Sequence, residues 1–204
     1  MRIRQHVNPL RSDYLQILLD PLDLPSGRPI EVELGSAEAF FLMERAAEDP
    51  GRHYIGVEIR RELVAQSNGE CRDKGLDQVR SVFANISVDM PRLFRPRSVS
   101  RFFINFPDPW FKHRQRKRRV VGEDLVGQLF ELLEPNGEIH LATDIFDIAL
   151  DAMTALEWEA PRRFVNLHEP WSFLRKSHFV ARSFRERLCE REGIRIWRLG
   201  YRKL

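Results

Sequence analysis

The sequence predicts an α/β fold, a mostly parallel sheet with helices on both faces, and three observations carry that reading. From Ile30 onward, short apolar runs of strand length alternate with amphipathic stretches in which apolar residues recur at helical spacing. Turn residues, among them Gly35, Gly75 and Pro135-Asn136-Gly137, punctuate these segments where the pattern changes. The 204 residues are 43% hydrophobic and 31% charged, enough to bury one core without metal or disulfide help.

Taken in order, Ile30–Leu34 (Ile-Glu-Val-Glu-Leu) reads as the first strand and Ala37–Ala47 as a helix, with Ser36 a candidate cap and Phe40, Met43 and Ala47 on one stripe. Tyr54–Glu58 reads as the second strand. The following helix runs from Arg60 to Lys74 and stops at Gly75. Val79–Asn85 and Arg101–Asn105 are the third and fourth strands. A helix over Glu123–Leu133 opens with two acids, which suit the positive end of its dipole. Pro135-Asn136-Gly137 predicts a turn, Glu138–Ala142 a fifth strand, and Ala149, Leu150, Met153 and Leu156 another helix. Ile194–Tyr201 closes the chain as a strand. No repeat or composition break divides it, so a single domain is expected over residues 1–204, led by a basic arm of about 12 residues.

Composition narrows the function. Two cysteines, Cys71 and Cys189, stand far apart in no ligand-like spacing, which argues against structural disulfides and zinc and fits a reducing cytoplasm. No run approaches a membrane span, and the Met-Arg-Ile-Arg-Gln-His start lacks the apolar core of a secretion signal, so a cytoplasmic protein with no membrane partner is expected. Net charge is only +3, yet the basic residues are clustered. Arg2, Arg4, His6 and Arg11 mark the arm, and Lys112, Arg114, Arg116, Lys117, Arg118 and Arg119 form a run with no acid between them. Such clusters suit a polyanion partner.

Ligands of open α/β sheets collect at the carboxyl ends of the strands. Glu33, Glu58 and Asn85 fall there in the predicted pattern, and Gly35 offers a tight turn through which backbone can approach a ligand. A carboxylate such as Glu58 can accept from both hydroxyls of a ribose, though an acid at a strand end also commonly meets water or a neighbouring basic residue. The Asn85 amide can read an adenine edge. The Gly35–Ala39 loop is poor in glycine for a nucleotide loop, with Ala37 and Ala39 where glycines are usual.

The most specific segment is 105–119, Asn-Phe-Pro-Asp-Pro-Trp-Phe-Lys-His-Arg-Gln-Arg-Lys-Arg-Arg. Pro107 and Pro109 fix the backbone around Asp108. Phe106, Trp110 and Phe111 supply flat surfaces for a base, and the cations behind them suit phosphates. Asp between prolines is also an ordinary turn residue. A rigid acid, stacking aromatics and a polycation directly after a strand point instead to nucleobase chemistry.

On these residues, together with Arg-Gln-His-Val-Asn-Pro-Leu in the arm, the chain resembles the bacterial tRNA (guanine-N7)-methyltransferase family over most of its length. The resemblance implies a Rossmann-like class I methyltransferase fold with a seven-stranded sheet. It also implies S-adenosylmethionine as donor and the variable-loop guanosine of tRNA, position 46, as acceptor. It assigns cofactor contacts to Glu33, Glu58, Asn85 and Asp108, with Asp108 catalytic, and substrate contacts to Lys112 and Asp144. Many relatives carry Asp at the position of Asn85. Asp144 can alternatively cap a helix. The family's Thr-x-Tyr/Phe-Glu motif corresponds to Ser183-Phe184-Arg185-Glu186, which makes Ser183 and Glu186 further substrate contacts and puts Arg185 in place of the aromatic. The expected partner is tRNA, with no metal and no obligate protein partner, as a monomer or homodimer. Alternatives are a nicotinamide-dependent oxidoreductase, an amine-directed methyltransferase, and an RNA-binding module without cofactor.

Overall fold

The computed structural model describes residues 7–15, 22–24, 27–109, 121–159 and 162–204. Seven strands form one sheet in the order β3-β2-β1-β4-β5-β7-β6. They are β1 (Ile30–Leu34), β2 (His53–Glu58), β3 (Val79–Phe83), β4 (Val99–Asn105), β5 (Leu133–Thr143), β6 (Phe164–Asn166) and β7 (Trp197–Lys203). The β3-β2-β1-β4-β5 pairings are parallel, and β7 is antiparallel to both β5 and β6. The sheet is thus mostly parallel and seven-stranded, as the sequence and the resemblance predicted. Strand order reverses between β1 and β4, which opens a crevice at their carboxyl ends.

The helices are α1 (Ser12–Leu15), α2 (Phe40–Glu48), α3 (Arg61–Asp73), α4 (Met90–Leu93), α5 (Glu123–Leu132), α6 (Phe146–Met153) and α7 (Phe184–Glu192), and α6 runs on into a π-helical turn at Thr154–Glu159. One face of the sheet packs Val32, Ile55, Phe102 and Ile139 against Leu125, Leu129 and Met153 of α5 and α6. The other packs Tyr54, Phe103 and Val79 against Phe41, Leu42 and Met43 of α2 and Cys71 of α3. Each fully buried side chain of this size contributes about 1.5–3 kcal/mol, so the sheet is clamped from both sides.

Three expectations are corrected. The first helix begins at Phe40, not Ala37, and Ser36 does not cap it. Ala37 and Ala39 adopt left-handed φ of 47° and 59°, and a turn closed by Ala39 N–H on Ser36 O (2.7 Å) precedes the helix. Asn85 lies beyond the end of β3. Pro135-Asn136-Gly137 is a bulge inside β5 rather than a turn before it: Val99 pairs with Leu133 and Arg101 with Glu138, so extra residues are looped out while pairing resumes. The short elements α4 and β6 and the helix α7 were not read from the sequence.

Sheet packing also settles two acids of β1 that share a face. Glu31 is fully buried yet accepts from Arg45 Nη2 (3.0 Å) and Arg45 Nε (3.0 Å), and from Arg101 Nη1 (2.6 Å), with Arg52 Nε 3.5 Å away. Glu33, two residues on, meets no such cage.

Candidate active site

Glu33, Gly35, Glu58, Asn85 and Asp108 all line one cavity of about 320 Å³ at the carboxyl ends of the parallel strands. Gly35, with φ of 81°, turns the chain off β1, its N–H bonded to Val57 O at 2.8 Å. The close approach of that loop to β2 depends on Gly56. A Cβ there would collide with the Ser36 side chain and sit 3.0 Å from Ser81 Oγ.

Glu33 is buried on the cavity floor. Asn105 Nδ2 donates to its Oε1 at 2.9 Å, and its Oε2 has no hydrogen-bond partner among the described residues. Burial pushes its carboxyl up to about 8, against the lowering effect of the Asn105 bond and with help from the charge of Glu58. A buried carboxyl oxygen without a partner, on a residue that lines the cavity, calls for a donor or a cation.

Glu58 is held differently. Its Oε1 accepts from Arg60 N (2.9 Å) and Arg60 Nε (2.8 Å), and its Oε2 from Ala37 N (2.9 Å) and Arg60 Nη2 (2.9 Å). The neighbouring-base alternative is therefore what the structure shows, although Glu58 still lines the cavity. Arg60 itself was not singled out, and its place two residues after a strand-end acid is the signal that points to it. The Asn85 amide is likewise engaged: Nδ2 donates to Pro9 O (2.8 Å) and Tyr14 O (3.1 Å), while Oδ1 accepts from Ser87 N (3.0 Å). It fastens the N-terminal segment beside the cavity, where Val7 and Pro9 become lining residues.

Asp108 leaves β4 through Phe106, whose φ is 48° and whose N–H bonds Ala142 O at 2.7 Å. The prolines on either side hold it at the cavity wall, and its charge acts on the Arg60 guanidinium. Lys112, Trp110, Phe111 and the basic run to Arg119, as well as Arg2, Arg4 and His6, lie outside the described residues.

Asp144 follows β5 and does not cap α6, whose N-cap is Ile145 with no side-chain cap bond. Its Oδ2 instead accepts from Arg185 Nη2 at 2.5 Å. Arg185 lines the cavity together with Ser183 and Phe184, so the residue that departs from the aromatic pattern ties Asp144 to the site. Ser183 caps α7 by accepting from Glu186 N at 3.2 Å. Glu186 is buried against Arg198, with Nη2 2.7 Å and Nε 3.2 Å from its Oε1, and lines a separate small cavity with His140 and Phe179. The structure thus joins Glu33, Glu58, Asn85, Asp108 and Ser183 on one cavity, links Asp144 to it through Arg185, and sets Glu186 apart. No cluster of metal-ligating side chains occurs among the described residues, and none of their helices is long and apolar enough to cross a membrane.

Residues 27–199 match the family described as "Putative methyltransferase". The chain is 42% identical to a tRNA (guanine-N(7)-)-methyltransferase of Synechococcus sp. (strain JA-3-3Ab) over 72% of its own length and 64% of that relative's, just under two thirds. It is 34% identical to the enzyme of that name from Microcystis aeruginosa, over 99% of this chain and 98% of the relative. Among solved structures, a "putative methyltransferase from streptococcus mutans in complex with SAH" shares the fold, with a TM-score of 0.54 at 9% identity and 94% of each chain covered.

Proposed function

The chain belongs to the tRNA (guanine-N7)-methyltransferase family, and on that premise we propose that it methylates N7 of the variable-loop guanosine, position 46, of tRNA with S-adenosylmethionine as donor. The observation that carries the reading is that Asp108 lines the same cavity as Glu33 and Glu58. When bound, S-adenosylmethionine supplies an electrophilic methyl group on a sulfonium, and guanine N7 offers a free lone pair, so no proton need be removed before attack. The work left to the protein is alignment.

The donor set suits that cofactor. Glu33, whose Oε2 lacks a partner among the described residues, would hold the cationic end, a neighbouring positive charge that favours its ionised form. Glu58 would hold the ribose hydroxyls, its carboxylate kept in place by Arg60, whose guanidinium also feels the charge of Asp108. Asn85 serves the adenosine end by holding Val7 and Pro9 beside it. Asp108 positions the guanine and favours positive charge growing on its ring. Asp144, oriented by Arg185, accepts from the guanine N1–H and amino group, donors that the corresponding edge of adenine does not offer together. Lys112 and the arginines after it hold phosphates, so binding weakens steeply with salt. Ser183 and Glu186 shape the substrate side by fixing the start of α7. The reading places the protein in the cytoplasm, where its substrate is.

Labelled-methyl transfer to tRNA carrying G or A in the variable loop tests the proposal. The expected result is label in the G form alone, recovered as N7-methylguanosine and lost with Asp108→Ala. Equal labelling of both forms, or full turnover by Asp108→Ala, overturns it.

A further inference from the structure

Beside the cavity, at the rim where β5 ends and β7 begins, three aromatic rings meet. Trp197, paired with Thr143 across the sheet, lies 4.5 Å from Phe146 and 4.9 Å from Phe173 between ring centroids, with tilts of 44° and 58°. The Phe146 and Phe173 rings are 6.2 Å apart. Phe146 stands two residues beyond Asp144 and is 44% exposed, unusual for a large apolar side chain already packed against two others. Arg195 lays its guanidinium over Trp197, 3.8 Å from the ring centroid.

The cations around these rings are unlike their neighbours. Arg182, Arg185 and Arg198 are paired with Glu190, Asp144 and Glu186. Arg195, Arg175 and Lys176 are exposed, and none of the three has a carboxylate partner among the described residues. The antiparallel bridge between Leu174 and Arg198 brings Arg175 and Lys176 alongside the strand that carries Trp197. Asp147, in the first turn of α6, is the acid nearest in sequence to Phe146. Flat apolar rings with nearby cations that have no carboxylate partner among the described residues suit a ligand with a π-face and a phosphate, whereas a purely apolar partner has no use for the charge.

We propose that Phe146, Phe173 and Trp197, with Arg195, Arg175 and Lys176, form a stacking seat for an unpaired nucleotide of the substrate RNA, distinct from the guanosine being methylated. The seat lies on the same rim as Asp144, which Arg185 ties to the methyl-transfer cavity, so one RNA strand can engage both. This rests on the proposed function for its substrate, but the seat can be tested without turnover.

In the full chain, a decauridylate or decaadenylate probe added without cofactor is expected to quench tryptophan emission, and Trp197→Phe to abolish most of that quenching. Phe146→Ala is expected to raise KM for tRNA about tenfold with kcat and S-adenosylmethionine affinity unchanged, and Phe146→Tyr to restore it. Arg195→Ala is expected to weaken the probe and tRNA alike and to lower the salt slope of binding. The proposal is overturned if Phe146→Ala leaves KM and probe binding intact. It is equally overturned if cofactor affinity and melting temperature fall as KM rises, the mark of a packing role. A wild-type chain that quenches with the probes but methylates no tRNA overturns the proposed function while upholding the seat.

Discussion

Replacing Glu33 with Gln isolates the most perturbed acid of the cavity and gives a pH dependence whose sign is fixed by its surroundings. Burial raises the carboxyl from 4.5 to about 8 in the folded chain. Between those values the folded state holds a proton that the unfolded state has released, so stability falls as pH rises. The contribution is fully present below 4.5 and is lost as pH passes through about 8. The interval from 4.5 to about 8, at about 1.4 kcal/mol per unit, sets an upper limit of roughly 5 kcal/mol. Gln mimics the protonated acid: its oxygen can keep the Asn105 bond and it cannot ionise. Urea denaturation of the cofactor-free protein between pH 5 and 9 should therefore show the variant gaining on the wild type by several kcal/mol toward pH 9, with little difference at pH 5. Parallel profiles for the two proteins, or a wild type that gains on the variant as pH rises, would refute the reasoning.

Other substitutions probe the surrounding structure. Asn85→Asp exchanges the group that donates to Pro9 O and Tyr14 O for a carboxylate oxygen facing both carbonyls; trypsin cleavage after Arg11 should speed about thirtyfold, given about 1 kcal/mol for each of the two bonds lost. Ala37→Gly relieves a left-handed backbone and should stabilise by about 1 kcal/mol, seen as a melting temperature roughly 2–4 °C higher. Gly56→Ala drives a methyl into Ser36 and should cost about 1–3 kcal/mol in denaturant titration, with weaker cofactor binding as the loop shifts. Arg45→Met strips two bonds from fully buried Glu31 and should cost about 3–5 kcal/mol at neutral pH, most of it recovered in the Arg45→Met/Glu31→Gln double variant.

The alternation of strands and helices was legible because burial on both faces of a parallel sheet writes itself into local hydrophobic pattern. Glu33, Gly35, Glu58 and Asp108 could be placed on one rim for the same reason: each lies in the last residues of a recognisable strand or just beyond it, and strand ends in such a sheet converge. Short elements escaped. Met90–Leu93 and Phe164–Asn166 are too brief to carry a period, and the bulge at Pro135–Gly137 looks locally like any turn until the strand beside it resumes pairing. Arg185 illustrates the opposite limit. Its departure from an aromatic pattern was visible in the sequence, but its bond to Asp144, 41 residues away, was not.

Local pattern and motif thus determined the fold class, the rim on which the candidate site residues gather, and the proline-flanked aspartate with its basic run. Tertiary structure alone decided the electrostatic state of each acid. Glu31 and Glu33 are the same residue type on one face of one strand, yet α2, β4 and the turn before β2 bring three arginines to the first, and only Asn105 reaches the second. Charge in a low-dielectric interior is governed by neighbours within a few ångströms. Those neighbours come from positions up to about 70 residues away, a distance across which no local pattern in the chain reports.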